Sequence, residues 1–537
     1  MHFNIFLKED GTYRRRLNSY NTLVCALAGL GSLTYGYTAS IIGSTLGQPS
    51  FIEYFDLANP RNGTALQSTM AGLFQAGGCI GTILLPNLAD RYGRRSAMAV
   101  AGLLCLISGA VMTGSTNVAE FIVFRFFAGA GGFMLAAAVP LWMGEVVPVD
   151  WRGALVDIHA ISLMVGYMIQ GWVGFGFYFW KTGGSNTWRP PIALQCAFSI
   201  FFLISLYWLP ESPRWLVMQD RVDEARAVLD RLHWDPKDDN NEYSRAELYQ
   251  IQKQVAIDKT LDSSWIHMFR KPSYRKRAFF AMGTTGIIQC SGVLVINLYG
   301  PSLYKQLGFS PIKQLLYPAA WLTFTLGANA IAIPFIDAFP RNKFLAVGVA
   351  GCTATLIVEA ALVANFVPSD NENALLAAVA MFFVFQLFYS FFLDGCQYAF
   401  LGELFPTHIR AKGVCLGVSF LSLMGIVWLQ SAPTALNSIG WKFYIALIIP
   451  AGLGSVAMWF FWPDTKGMPL EEIAALFGDQ DEVAIYQREI FFDHEHNALI
   501  DLHDGTTEKP DALQVENTAA SPPAQNTTES LPAEKAV

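Results

Sequence analysis

Two sets of charged residues occur twice along this chain. Asp90-Arg91-Tyr92-Gly93-Arg94-Arg95 is echoed by Asp337-Ala338-Phe339-Pro340-Arg341-Asn342-Lys343. Glu145-Val-Val-Pro148 with Arg152-Gly153 is echoed by Glu403-Leu-Phe-Pro406 with Arg410-Ala-Lys-Gly413. In both copies of the second set a carboxylate stands seven residues before an arginine. The chemistry these residues offer is ion pairing. Charge pairs at one mouth of a cavity lock two halves shut and part when that mouth opens, and repeated halves with matching ion-pair loops are what an alternating-access carrier needs. Asp394 offers a different chemistry. It precedes Glu403 within an apolar block by roughly 14 Å of helix rise. With Glu403 at a membrane surface, Asp394 lies near the midplane, where a carboxylate is costly and functional by default, and it becomes a candidate proton carrier. The competing reading is a structural pairing with a polar neighbour on another helix. Glu359, in the outer half of another apolar block, is weaker evidence of the same kind.

The elements that hold these charges are membrane helices. The 537 residues are 53% hydrophobic, 14% aromatic and only 15% charged, against about 25% charged in a soluble domain. The apolar residues fall in blocks of about 20, enough to cross a bilayer core as helices. That excludes a soluble enzyme and a disordered scaffold. The net charge of −7 speaks against nucleic acid as a partner. The predicted spans are roughly 21–43, 67–87, 96–114, 118–140, 155–180, 190–208, 277–300, 312–336, 344–366, 374–400, 412–435 and 441–462, which makes twelve helices.

Basic loops alternate with loops poor in Lys and Arg. Arg91, Arg94 and Arg95 lie between helices 2 and 3, and Arg152 between 4 and 5. Arg341 and Lys343 lie between 8 and 9, and Arg410 and Lys412 between 10 and 11. The positive-inside rule then places both termini and the long central loop in the cytoplasm. The expected organisation is a cytoplasmic N-terminus (1–20), a six-helix bundle (21–208), a cytoplasmic linker (209–276), a second six-helix bundle (277–462) and a cytoplasmic tail (463–537). The linker segment Ser212–Trp234 has helical apolar spacing, and Leu470–Phe477 forms an amphipathic turn or two. After about residue 478 the composition predicts disorder.

Several features are set aside. The eight cysteines lie inside apolar blocks without metal-ligand spacing, so no disulfide framework and no metal are expected. His494-Glu495-His496 lacks the spacing of a zinc-protease helix. Gly129, Gly131 and Gly132 sit inside helix 4, where small residues permit close packing. Asn62-Gly63-Thr64 is a glycosylation sequon in the first outer loop. Asn526-Thr527-Thr528 is a second, on the cytoplasmic tail where no glycan is added.

The ordered motifs resemble the sugar porter family of the major facilitator superfamily, most closely its fungal members. They are Asp90–Arg95, Arg125-Phe-Phe-Ala-Gly129, Pro140–Gly153, Pro210-Glu-Ser-Pro-Arg-Trp-Leu216, Gln289-Cys-Ser-Gly292, Glu403–Gly413, and Pro463-Asp-Thr-Lys-Gly467 with Leu470-Glu-Glu-Ile473. The resemblance runs from helix 1 to about residue 475. It implies an all-α membrane protein with twelve transmembrane helices in two six-helix bundles, the major facilitator fold, with cytoplasmic linker helices. It further implies a cytoplasmic gate formed by Asp90, Arg94, Arg95, Glu145, Arg152, Glu211 and Arg214 in the first half, and by Asp337, Arg341, Glu403 and Arg410 in the second. The competing reading is that these charges only set topology and cap helices.

At the binding site the chain departs from the family. Where the resemblance implies amides and tryptophans, this sequence has Ala160, Ile288, Leu294, Thr325, Tyr398 and Leu421-Ser422, and only Gln289 is kept outright. Losing a hydrogen-bond partner for a buried hydroxyl costs about 1–3 kcal/mol. Candidate substrate-binding residues are therefore Gln289, Tyr299, Asn297, Gln397, Tyr398, His159 and Asn329, with Gln170 behind them. For each, helix packing is the alternative role. Helix 1 has Thr38 after Tyr35-Gly36-Tyr37, where proton-coupled members of the family carry Asp, so transport is facilitative or its proton moves to Asp394.

The resulting expectation is a carrier and not an enzyme, without cofactor. It moves a sugar or sugar-like small molecule, with protons as a second partner, as a monomer in the lipid bilayer of the plasma membrane. The alternatives are a carrier of a less polar metabolite on the same scaffold and a non-transporting nutrient sensor.

Overall fold

The computed structural model describes residues 18–59, 62–148, 152–180, 183–235, 238, 241–336, 338–366, 371–466, 476–479, 490–493 and 498–501, and only the backbone of 152–154, 242, 306, 372 and the residues after 489. Asp337, the side chain of Arg152, most of the 470–477 turn, His494–His496 and Asn526 lie outside the described residues.

Backbone amides in a bilayer core find no water, so each segment must satisfy its own N–H and C=O groups, and helices result. In order they are helix 1 (Ser19–Leu46), helix 2 (Gly63–Tyr92), helix 3 (Arg94–Gly114), helix 4 (Val118–Val146), helix 5 (Arg152–Tyr178) and helix 6 (Arg189–Ser205). The second series is helix 7 (Pro272–Cys290 and Val293–Gln306), helix 8 (Pro311–Ile336), helix 9 (Arg341–Phe366), helix 10 (Glu372–Phe388 continuing to Glu403), helix 11 (Arg410–Ser438) and helix 12 (Phe443–Phe461). Among the described residues eleven helices are long and apolar enough to cross a membrane. Helix 1 is also long enough, at 28 residues, but is rich in Ser, Thr, Gly and Tyr. It tolerates them because most of it is buried in protein. Its hydroxyls also bond back one turn, as from Thr34 to Leu30 O at 2.8 Å and from Thr38 to Thr34 O at 2.7 Å.

Two helices predicted to be continuous are broken. Helix 7 stops at Cys290 and restarts at Val293, because Gly292 adopts φ +82°, a conformation open to glycine and strained for other residues. Helix 10 widens into a π-helical turn over Tyr389–Asp394 before resuming at Gly395. Such turns re-aim side chains and recur at functional sites.

The halves meet along helix 2 with helix 11 and along helix 5 with helix 8. Helix 2 lies so close to helix 4 that a Cβ on Gly129 would collide with the backbone oxygen of Phe74. One contiguous apolar core runs through both halves. The linker helices Pro213–Met218, Val222–Leu232 and Glu242–Asp258 enclose a small core of their own, including Trp215, Leu216, Ala225, Leu229 and Ile251. The apolar spacing of 212–234 is thus split between two helices, divided where Asp220 turns the chain at φ +59°. Within the tail expected to be disordered, Ile490–Asp493 pairs antiparallel with Ala498–Asp501.

Candidate functional site

Charged residues gather at the face that carries the basic loops. Arg94 opens helix 3 and is 5% exposed. Its Nε donates to Glu145 Oε2 at 3.0 Å and its Nη2 to Glu145 Oε1 at 3.2 Å. Its Nη1 donates to Asp90 Oδ1 at 3.2 Å and to Ala89 O at 3.1 Å. Arg341 opens helix 9 in the same way. Its Nε and Nη2 donate to the two oxygens of Glu403 at 3.4 and 3.1 Å, and its Nη1 to Ile336 O at 2.5 Å. Two parallel bonds to one carboxylate make the strong, geometrically specific form of ion pair.

The backbone ends of both helices are held by a third acid. Glu211 accepts from Arg94 N at 2.9 Å and Arg95 N at 3.3 Å, and Asp464 accepts from Arg341 N at 3.0 Å. A carboxylate there satisfies orphan amides and faces the positive end of the helix dipole. Burial pushes the Glu211 carboxyl above its usual range, against the pull of the amides of Ser212, Arg95 and Arg94. Ser212 hydrogen-bonds to Glu145, and Thr465 Oγ1 donates to Glu403 Oε2 at 2.6 Å. The repeat Pro210-Glu-Ser and Pro463-Asp-Thr, readable in the sequence, is the signal for these caps.

The carboxylates of both sets find arginine partners far along the chain. Glu403 is bound by Arg341, 62 residues away, while Arg410 directs its Nε to Phe405 O at 3.2 Å. Glu145 is bound by Arg94, 51 residues away. Each latch closes within one half. Arg94, Glu145 and Glu211 belong to the first, and Arg341, Glu403 and Asp464 to the second.

The centre of the molecule holds two adjoining chambers. One, of about 540 Å³ of empty space, is lined by Gln289, Gln386, Asp394, Gln397, Tyr389 and Tyr398 against Leu163, Leu294 and Leu421, among others. The second, of about 390 Å³, is lined by Gln75, Arg125, Phe74 and Leu298, among others. Tyr35, Tyr167, Leu294 and Asn297 line both. Both broken helices contribute to the first chamber. Gln289 and Val293 flank the Gly292 break, and Tyr389 and Asp394 lie on the π turn.

The polar groups here are left open. The Oε1 atoms of Gln75, Gln289, Gln386 and Gln397 are buried and have no hydrogen-bond partner among the described residues. Buried polar atoms are normally paired, and these four open acceptors line the adjoining chambers, Gln75 the smaller and the other three the larger. Asp394 accepts from Asn329 Nδ2 at 2.8 Å.

Of the residues proposed from sequence, Gln289, Asn297, Asp394, Gln397 and Tyr398 line the chambers. Asn329 stands behind Asp394 as its donor. His159 stands behind Tyr398, ring centroids 5.3 Å apart, and its Nδ1 lies 2.7 Å from Ser32 Oγ. The Tyr299 hydroxyl donates to Leu429 O at 3.0 Å and ties helix 7 to helix 11. Gln170 bonds to Ser44. Sequence reasoning missed Tyr35, Gln75, Arg125, Tyr167, Gln386 and Tyr389 as lining residues. Gln386, Tyr389, Asp394 and Gln397 recur at near-helical spacing in an apolar block, a signal that was available. Asn62 is exposed at the start of helix 2 and makes no side-chain cap bond.

This architecture has known relatives. The family described as Sugar (and other) transporter matches residues 24–477. The chain belongs to that family. It is a multi-pass membrane transporter and not an enzyme. It is 29% identical over 459 residues to the MFS-type transporter criB of Aspergillus cristatus, covering 85% of this chain and 93% of that one. It is 25% identical over 493 residues to a high-affinity glucose transporter of Kluyveromyces lactis, covering 88% of both. Its fold matches the proton:xylose symporter XylE bound to 6-bromo-6-deoxy-D-glucose with a TM-score of 0.75 at 22% identity, covering 86% of this chain and 99% of XylE.

Proposed function

We propose that this transporter moves a sugar or sugar-like polyol by alternating access, and that Asp394 carries the coupling proton. The observation that carries the substrate reading is the set of four unpartnered glutamine oxygens around the chambers. Hydroxyl groups are donors, and a ring bearing several of them satisfies several such acceptors at once. The tyrosines beside them supply aromatic surface. The family pattern has lost amides at Ala160, Ile288, Leu294 and Leu421, and Gln75, Gln386 and Gln397 replace them from other helix positions. The relatives that carry glucose and the xylose symporter support the same substrate class.

Asp394 is the acid that lines the chambers among the described residues. Helix 1 offers Thr38, which cannot hold a titrating proton. A proton taken up by Asp394 would remove a charge from the membrane interior and ease the passage of that region between its two open states.

The halves 21–208 and 277–462 rock about the chambers. At the basic face Asp90, Arg94, Arg95, Glu145, Arg152, Glu211 and Arg214 on one side and Asp337, Arg341, Glu403 and Arg410 on the other form the gate of that mouth, and the pairs within each half fix the loops that face each other there. The linker 209–276 and both termini lie in the cytoplasm beside it, and Asn62 on the outer surface accepts glycan. The chambers are lined by residues of a single chain, so a monomer in the plasma membrane suffices.

Two experiments test this. Counterflow in proteoliposomes, screened across sugars, polyols, organic acids and hydrophobic metabolites, is expected to respond to hydroxylated compounds. A response to apolar metabolites alone would overturn the substrate reading. An imposed inward proton gradient is expected to drive accumulation in the wild type, and Asp394→Asn to abolish accumulation while counterflow persists. Accumulation that survives Asp394→Asn defeats the proton role.

A further inference from the structure

Three buried arginines in this protein present themselves in the same way. Arg94 and Arg341 each spend Nη1 on a backbone carbonyl and offer the Nε/Nη2 edge to a glutamate. Arg125, in helix 4, also spends Nη1 on a backbone carbonyl, donating to Thr38 O at 2.8 Å. Its guanidinium lies 4.1 Å from the Phe74 ring centroid. Its Nε, however, has no partner, and Nη2 makes only a 3.3 Å bond to Ala39 O. Among the described residues no carboxylate pairs with it. On the edge that receives a carboxylate in the other two arginines, Arg125 has an open Nε and only the long Nη2 bond to Ala39 O.

This edge belongs to a residue that is 1% exposed and lines the smaller chamber. A guanidinium cannot shed its charge by losing a proton. An unpaired charge inside a membrane protein is costly, and two carbonyls and a ring offset it only in part. The Gln75 amide beside it in the chamber is also uncommitted at Oε1. Tyr35, Tyr167 and Asn297 continue from this chamber into the one that holds the other three open glutamines.

We infer that the substrate carries a carboxylate, which docks on the Nε/Nη2 edge of Arg125 while its hydroxyl groups donate to the open glutamine oxygens: a sugar acid rather than a neutral hexose. This names the substrate class of the chambers and rests on the polyol-carrier reading above. The carboxylate supplies the missing anion, so the charge of Arg125 is balanced only when the cavity is loaded.

The test uses the full chain in proteoliposomes at neutral pH. Counterflow of labelled D-glucuronate is challenged by unlabelled D-glucuronate, D-galacturonate, D-glucuronate methyl ester and D-glucose. The acids are expected to compete better than the ester and glucose by about tenfold or more, as a strong ion pair at a buried site requires. Arg125→Gln is expected to remove that preference, and Arg125→Lys, which keeps the charge without the fork, to retain part of it. Should the variants fail to fold, the acid-to-ester ratio of the wild type decides. Equal or better competition by glucose or the ester, or unchanged acid preference in Arg125→Gln, overturns the inference and leaves the polyol-carrier reading standing. Counterflow of neither acids nor neutral sugars, with folded protein, brings down both.

Discussion

The polar groups at the basic face and those in the central chambers are built on opposite plans. At the basic face, the Arg94 guanidinium is occupied by Glu145, Asp90 and Ala89 O, and Arg341 repeats the arrangement with Glu403 and Ile336 O. In the chambers, four glutamine oxygens and the Nε of Arg125 are buried and unpartnered. On the function proposed above, the paired groups at the basic face hold the protein together and the open groups of the chambers receive the substrate. Removing a latch residue should therefore lower stability, and removing a chamber residue should lower affinity.

The largest expected effect breaks a latch. Glu145→Ala removes the two-bond partner of the buried Arg94 guanidinium and leaves it only the Asp90 carboxylate, at a cost toward the lower end of about 3–5 kcal/mol. A marked drop in thermal stability in detergent checks this, and Glu403→Ala should match it because the second latch is built alike. Replacing Arg94 and Glu145 together by Met should return most of the loss, since a well-packed apolar pair avoids the desolvation penalty. A double variant as unstable as the single one would sink the pairing argument.

Gln289→Ala is the counter-experiment. Substrate affinity should fall by about 1–3 kcal/mol, roughly five- to 150-fold. The empty protein should keep its melting temperature, because the deleted oxygen has no partner there. A large stability loss without an affinity change would place Gln289 in the structural class.

A smaller effect is expected at the break in helix 7. Gly292→Ala forces a Cβ into φ +82° and within 2.7 Å of Leu447 Cδ1. The cost is about 1–2 kcal/mol for the backbone alone. Both thermal stability and counterflow should drop, since the break positions Gln289 and Val293.

The smallest effect concerns pH. Burial raises the Glu211 carboxyl above its ordinary value. A group whose folded-state value exceeds its unfolded one contributes stability that is complete at low pH and is lost as pH rises through the folded value. Glu211→Gln should flatten that part of the melting-temperature profile while keeping an acceptor for the helix-3 amides. An unchanged profile would show that Glu211 does not supply it.

Much of the fold was legible in the sequence. Hydropathy blocks locate the spans because bilayer thickness sets their length, and the repeated charge sets reveal the two related halves. The interruptions in helices 7 and 10 were not read. A π turn leaves little signature in an apolar block, and a lone glycine is compatible with an unbroken helix. The ion-pair partners could not be read from spacing. The packing brings Arg94, 51 residues away, to Glu145.

The candidate site was legible in part. Matching positions to the family pattern found Gln289 and the loss of amides at 160, 288, 294 and 421. It overlooked Gln75 and Gln386, which restore amides from other positions, and it treated Arg125 only as part of a motif.

The sequence by itself determined that the chain is a twelve-helix membrane carrier of the sugar porter type, with charge concentrated at one face. Those properties follow from local composition and from the length a bilayer demands. Only the tertiary structure decided which polar atoms are satisfied and which are left open. That distinction depends on neighbours brought from distant helices, as Arg94 is to Glu145 and Asn329 to Asp394. It is what separates the paired charges of the basic face from the open amides of the chambers.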